Sequence, residues 1–98
     1  MKIQKFHESL LNRTILLFFE GEDCGLCEGM KRKTLSELKE FDVDICFVNL
    51  VECPELRGRF QVFSFPTLLL LQNGKELERV AGFFDLTLLK RKLCFMEQ

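Results

Sequence analysis

Two cysteines three positions apart follow an apolar run, and this arrangement constrains the fold more than any other feature of the chain. The run, Thr14 to Glu20, has the length of one strand and is ended by Gly21. An uninterrupted apolar run of this kind is typical of a strand that is covered on both faces. The cysteines, Cys24 and Cys27, therefore lie just beyond the end of a buried strand.

The residues after the cysteines have the period of an amphipathic helix. Apolar residues recur about every 3.6 positions up to about Phe41, which predicts a helix beginning near Asp23. The next segment, Val43 to Leu50, is rich in β-branched and aromatic residues and predicts a second strand. Because the connection is long enough for a parallel crossover, these segments predict a βαβ unit.

The remaining segments predict the other elements of a mixed α/β sheet that is covered by helices. Lys2 to Leu11 has helical spacing, and Pro54 can open a short helix that runs to about Gln61. Two strands flank the turn pair Asn73-Gly74 and predict a β-hairpin, and Leu86 to Met96 predicts a closing helix. A chain of 98 residues suffices for about one small domain, so we expect residues 1–98 to form a single domain.

Composition and charge exclude several classes of function. The formal net charge is −1, and acidic residues surround the basic clusters at 31–33 and 90–92, so we expect no nucleic-acid partner. No apolar run approaches the roughly 18 to 20 residues that span a bilayer, so we expect no membrane partner. No secretory signal is evident, and five cysteines are an odd number, which together predict a reducing, cytoplasmic location.

The cysteine pair has three interpretations: a redox pair, part of a metal site, or two core residues. At the start of a helix, Cys24 would lie where free N–H groups and the helix dipole favour a thiolate. Cys27, one turn later in the apolar stripe, would be close enough to attack a mixed disulfide on Cys24. A zinc site requires four ligands, and the chain has one histidine, His7, and no second close pair, although Cys53 could approach. We therefore expect a redox pair with no metal.

Four motifs resemble those of the thioredoxin family. They are CGLC after an apolar strand, SFPT at Ser64 to Thr67, LQNGKE at the hairpin, and Gly82 before the last helix. The resemblance implies a thioredoxin-like α/β fold, a redox-active disulfide and a cis bond between Phe65 and Pro66. It also implies that Phe65, Pro66 and Thr67 bind an extended substrate opposite the cysteines.

The chain also departs from the family pattern. Its first thirteen residues leave no evident room for the extra front strand of thioredoxins, so we expect a central sheet of four strands. The residues between the cysteines are Gly25 and Leu26 in place of the usual Gly-Pro. A buried acid and a lysine of the family fall at Phe18 and Phe47, so release of the mixed disulfide should be slow unless Glu20 or water substitutes.

These observations predict a thiol–disulfide oxidoreductase, in which Cys24 attacks and Cys27 resolves the mixed disulfide. Acidic neighbours, Glu20, Glu22 and Asp23, disfavour the Cys24 thiolate and so favour a reductant. The substrate would be a disulfide in a protein or small molecule, and electrons would come from thioredoxin reductase or another dithiol, with no bound cofactor. The alternative is a thioredoxin-like adaptor that binds peptides with little or no turnover.

The other three thiols have different expected environments. Cys46 alternates within a buried strand and is expected to be a small core residue. Cys94 is expected to be half covered at the edge of the closing helix. Cys53 precedes a proline in a loop, where exposure would make it a candidate for glutathionylation or an intermolecular disulfide.

Overall fold

The computed structural model describes residues 1–97, which form five strands, three α-helices and one short 3₁₀ helix. The strands are β1 (Ile3–Gln4), β2 (Thr14–Glu20), β3 (Asp44–Asn49), β4 (Thr67–Gln72) and β5 (Lys75–Ala81). The helices are α1 (Gly25–Leu38), α2 (Glu55–Phe60) and α3 (Thr87–Met96), and the 3₁₀ helix is Glu8–Asn12. None of the helices in this part of the chain has the length and apolar character that a bilayer crossing requires.

The strands form one mixed sheet in the order β1-β3-β2-β4-β5. β3 is parallel to β1 and β2, whereas β4 is antiparallel to β2 and β5 is antiparallel to β4. The β2-α1-β3 segment is therefore the predicted parallel crossover, and the predicted α/β fold is confirmed. Since β2 lies at the centre of the sheet, its five inner residues, 15 to 19, are all buried.

Successive side chains of β2 point into two different cores. Leu16 and Phe18 belong to the core that contains Met30 of α1 and Leu89 of α3. Ile15, Leu17 and Phe19 belong to the core on the opposite face, which α2 covers through Leu56. Burial on both faces fixes the end of β2, and with it the position of the loop that carries the cysteines.

The N-terminal segment differs from the prediction. Lys2 to Leu11 is not one helix, because Ile3 and Gln4 pair with Ile45 and Cys46 of β3 and only the following segment forms a 3₁₀ helix. The sheet therefore has five strands over the described residues, and the expectation of four strands without a front strand is wrong. The cause is a long-range contact, pairing with the free edge of β3, which a local apolar period does not reveal.

The carboxylate of Asp44 fastens this front strand to β3. It accepts hydrogen bonds from the Lys2 N–H and the Gln4 amide, each at 3.0 Å, and Arg13 lies 3.2 Å away. Burial alone would raise the pKa of Asp44, but these hydrogen bonds and the Arg13 guanidinium together lower the pKa below its usual value of 3.8.

We expect Asp44→Asn to lower the free energy of unfolding at pH 7 by about 1–2 kcal/mol, because it removes charge-assisted hydrogen bonds. A carboxyl group whose pKa is depressed by folding stabilises the protein above its unfolded pKa, and this stabilisation is lost as pH falls through the folded pKa. Urea unfolding at pH 7 and at low pH measures the effect, with exposed Asp42→Asn as the control. A deficit of equal size at both pH values would contradict this role.

Helix α1 is shorter than predicted at both ends. It begins at Gly25 rather than near Asp23, because Asp23 has a left-handed φ of 52° and Cys24 has the non-helical conformation of an N-cap. It ends at Leu38 rather than near Phe41, and a turn follows in which the Phe41 N–H donates to the Leu38 carbonyl at 3.0 Å. Cys24 therefore caps α1 instead of lying within its first turn.

Candidate active site

Cys24 and Cys27 form a disulfide at the N-terminus of α1, with Cα atoms 5.2 Å apart. The Cys27 N–H lies 3.1 Å from both the sulfur and the carbonyl oxygen of Cys24, so the backbone at the helix start holds the pair together. Cys24 is half-buried, whereas Cys27 is only 2% exposed. The sulfur of Cys24 is therefore the more accessible of the two.

The segment before β4 lies against the loop that precedes the cysteines. The Phe65–Pro66 peptide bond is cis, and the Gly82 N–H donates to the Pro66 carbonyl at 2.8 Å. A Cβ atom on Gly21 would lie 2.5 Å from the Phe65 ring, so only glycine permits this close approach. The Phe65 ring therefore packs against Gly21, which precedes Cys24 by three residues.

Thr67 is buried and uses its side chain within the same segment. Its hydroxyl donates to the Ser64 carbonyl at 2.7 Å, and Thr67 pairs with Phe19 in the sheet. The hydroxyl therefore shapes the turn around Pro66. A role of Phe65, Pro66 and Thr67 in substrate binding stays a prediction.

Exposed apolar side chains lie at the same end of the sheet as the cysteines. One is in the first turn of α1, and the others are in the loops that follow β3 and β5 or precede β4, which the topology brings to one edge. Leu26 is 42% exposed, Val51 57%, Phe63 78% and Phe83 79%. Gly25 is also exposed. We name Leu26, Val51, Phe63 and Phe83 the apolar rim; sequence inspection identified only Leu26 of these residues as part of the site.

Aromatic rings pack together in the core between the sheet and α1. The rings of Phe18 and Phe47, which the resemblance aligned with an acid and a lysine, have centroids 5.3 Å apart. Phe84 adds a third ring, with its centroid 6.4 Å from that of Phe18. Neither position offers a group that exchanges protons. Glu20, at the end of β2, forms an ion pair with Lys31 of α1 at 3.0 Å, and the Lys31 ammonium group also lies 4.8 Å from the centroid of the Phe47 ring.

The remaining thiols are free: Cys46 lies in β3, Cys53 in the loop between β3 and α2, and Cys94 in α3. Cys46 is fully buried, as predicted, and burial, helped by the nearby Cys53 thiol, raises its pKa to about 11. Cys53 is half-buried against the core on the α2 face. Cys94 is exposed rather than half covered, because it lies on the solvent side of α3.

The structure also places the single histidine. His7 precedes the 3₁₀ helix and caps it, since its Nδ1 accepts the Ser9 N–H at 3.1 Å. The periodicity of the first residues predicted that His7 lies within a helix, and this prediction is wrong. Within residues 1–97, no group of three or more His, Cys, Asp or Glu side chains is arranged to hold a metal ion.

Comparison with known proteins identifies the family. The sequence profile described as Thioredoxin matches residues 1–94. The chain belongs to the thioredoxin family. Together with the Cys24–Cys27 pair, this membership supports thiol–disulfide oxidoreductase activity.

Individual thioredoxins are similar over most of the chain. A thioredoxin of Chlamydia caviae is 33% identical over 83 residues, which cover 84% of this chain and 81% of that protein. Thioredoxin H2 of Arabidopsis thaliana is 31% identical over 72 residues, and the match covers 72% of this chain but only 54% of that protein. The structure of a thioredoxin from Nicotiana alata superposes with a TM-score of 0.77 at 29% identity, covering 96% of this chain and 91% of its own.

Proposed function

We propose that this chain is a disulfide reductant in which Cys24 attacks the substrate disulfide and Cys27 resolves the mixed disulfide. The observation that carries the proposal is the unequal exposure of two bonded sulfurs at a helix N-terminus. The accessible sulfur can meet a substrate disulfide, whereas the buried sulfur can reach only its neighbour. Free N–H groups at the start of α1 favour a thiolate on Cys24.

Charge near the pair supports donation of electrons rather than withdrawal. Glu22 and Asp23 are exposed in the loop directly before Cys24, whereas the charge of Glu20 is balanced by Lys31. Nearby negative charge disfavours the thiolate and so destabilises the reduced form relative to the disulfide. A dithiol of this kind gives up its electrons readily.

The proposed substrate is a disulfide in a protein or small molecule, and an extended segment of a protein substrate would lie along Phe65, Pro66 and Thr67. The apolar rim would contact the residues that flank the disulfide of such a protein. Thioredoxins act on disulfide substrates and are reduced by thioredoxin reductase, and we propose that reductase or another dithiol as the electron donor. Three free cysteines are consistent with a reducing compartment such as the cytoplasm.

We expect the pair to have a reduction potential near the roughly −270 mV of thioredoxin. The protein would be equilibrated in dithiothreitol redox buffers, its thiols alkylated, and the modified residues located by mass spectrometry. A reversible two-electron transition should be confined to Cys24 and Cys27, while Cys46, Cys53 and Cys94 stay reduced. A potential near roughly −120 mV would instead identify an oxidant and contradict the reductant role.

A second candidate is a thioredoxin-like adaptor that binds peptides with little turnover. It is favoured by the exposed apolar rim and by the aromatic rings of Phe18 and Phe47, which leave no proton-transferring group at those two positions. Insulin reduction beside a standard thioredoxin separates the two candidates. Slow but measurable turnover supports a reductant that releases the mixed disulfide slowly. Turnover equal to that of the standard contradicts this slow release. Binding without turnover favours the adaptor.

A further inference from the structure

The buried thiol of Cys27 must lose a proton before it can attack, since the thiolate is the nucleophile. Cys27 is only 2% exposed, so bulk water has little access to its sulfur. The core between the sheet and α1 contains the rings of Phe18 and Phe47, which accept no proton. A proton acceptor for the resolving step must therefore lie at the edge of this interior.

Glu20 lies at that edge, at the end of β2. Its side chain is on the same face of the sheet as Phe18, two residues earlier, and this is the face that α1 covers. Its carboxylate oxygen lies 3.0 Å from the ammonium group of Lys31. Lys31 follows Cys27 by four residues on α1, so their side chains are neighbours on one helix face.

The ion pair holds the carboxylate against Lys31, in the second turn of α1. The side chains of Glu20 and Lys31 are only 19% and 25% exposed. Lys31 is also held by the Phe47 ring at 4.8 Å, and the Glu20 carbonyl accepts the Leu50 N–H at 2.9 Å. The acid is thus anchored by its backbone and by its side chain.

Other charged groups at this end of the sheet are placed differently. The other acids at this end are exposed: Glu22 and Asp23 in the loop before Cys24, Glu28 in the first turn of α1, Glu52 after β3 and Asp85 after β5. The residues that β3 and β4 contribute at this end carry no charge; they are Phe47, Asn49 and Thr67. Glu20 is therefore the acid that combines partial burial with a fixed position on the α1 side of the sheet.

We propose that Glu20, positioned by Lys31, accepts the proton of Cys27 through a water molecule when the mixed disulfide is resolved. This inference rests on the proposed function. The Cys27 thiolate attacks the Cys24 sulfur, the Cys24–Cys27 bond forms, and the bond between Cys24 and the substrate sulfur breaks. The substrate sulfur leaves with the electron pair and takes up a proton, which Glu20 or solvent returns.

Glu20→Gln tests this role, with Glu37→Gln as the matched control. The control also removes one negative charge and breaks a Glu–Lys ion pair, since the Glu37 carboxylate of α1 lies 2.7 Å from the Lys90 ammonium group of α3. A single-turnover reaction with a peptide disulfide would be run at pH values from about 6 to about 10, which span the usual thiol pKa of about 8.5. Each reaction would be stopped with acid. Mass spectrometry then counts the mixed disulfide and the products.

We expect Glu20→Gln to slow resolution about 10- to 100-fold at pH 7, the lower part of the range for general base catalysis. Formation of the mixed disulfide should change less than about two-fold, because the first step uses Cys24. The deficit should disappear above roughly pH 9.5, where most thiols ionise without a base. Glu20→Asp, which retains an acceptor, should recover part of the rate.

Three results would overturn the inference. Resolution in Glu20→Gln could match that in Glu37→Gln at every pH, or its deficit could be the same at every pH, which indicates a structural role. Glu20→Asp could also be as slow as Glu20→Gln. If the wild-type protein formed no mixed disulfide at all, the proposed function itself would fail, and the role of Glu20 with it; circular dichroism of each variant verifies folding.

Discussion

Replacing Cys24 with serine is expected to lower the turnover of disulfide reduction by about three orders of magnitude or more. A serine hydroxyl does not ionise near neutral pH and does not form a mixed disulfide, so the first bond of the reaction cannot form. Insulin reduction with dithiothreitol as the electron donor measures the loss. Cys94→Ser is the matched control, because Cys94 is also an accessible thiol but lies on α3.

The partner cysteine should behave differently. Cys27→Ser leaves the attacking sulfur intact, so a mixed disulfide with the substrate should accumulate and be visible as a mass increase that dithiothreitol removes. Accumulation in Cys24→Ser instead would reverse the assigned roles. Equal loss of activity in Cys94→Ser would show that the reactive thiol lies outside the CGLC motif.

Phe18→Ala is expected to lower the free energy of unfolding by about 3–5 kcal/mol. Phe18 is fully buried at the centre of the sheet and packs against the rings of Phe47 and Phe84. Truncation removes these contacts and leaves a cavity between β2 and α1. Because a domain of this size is stable by only about 5–15 kcal/mol, the midpoint of urea unfolding should fall by at least a fifth.

Phe95→Ala provides the control for this prediction. Phe95 is 75% exposed on α3, so its truncation should change the free energy of unfolding by no more than about 0.5 kcal/mol. Far-ultraviolet circular dichroism follows both transitions in a chain that lacks tryptophan and tyrosine. A similar small effect in Phe18→Ala would mean that the aromatic contacts do not stabilise this core.

Local patterns were sufficient to predict the elements that position the site. The apolar run of β2 has the predicted bounds, Thr14–Glu20, because both faces of a central strand select apolar residues. The hairpin turn is where Asn73-Gly74 placed it, and both residues have positive φ angles. The closing helix differs from the prediction by one residue, since α3 begins at Thr87.

Elements that depend on distant partners were not predicted. Lys2 to Leu11 has a spacing that suits a helix, yet β3 offers a free edge to Ile3 and Gln4, and the Asp44 carboxylate accepts the Lys2 N–H and the Gln4 side-chain amide. Similarly, the start of α1 depends on the left-handed conformation of Asp23, which no apolar period encodes.

The candidate site shows the same division. The sequence alone was enough to identify Cys24 and Cys27, because their spacing after a buried strand is a local property. It also identified Phe18 and Phe47 as apolar replacements, because alignment by distance from the motif needs no coordinates. The sequence also named Glu20 as a possible substitute for the missing acid, but its pairing with Lys31 and most of the apolar rim were not found, since their members are distant in sequence or carry no pattern.

By itself, therefore, the sequence determined the chemistry and the order of most elements of this thioredoxin-family protein. Hydrophobic period, turn residues and cysteine spacing act over a few neighbouring positions and can be read directly. The apolar stripe also predicted that Cys27 is more buried than Cys24, whereas tertiary structure alone decided the front strand and the ion pair between Glu20 and Lys31. These features arise when the sheet brings separate segments together, and their energies depend on burial and distance, which exist only in the folded chain.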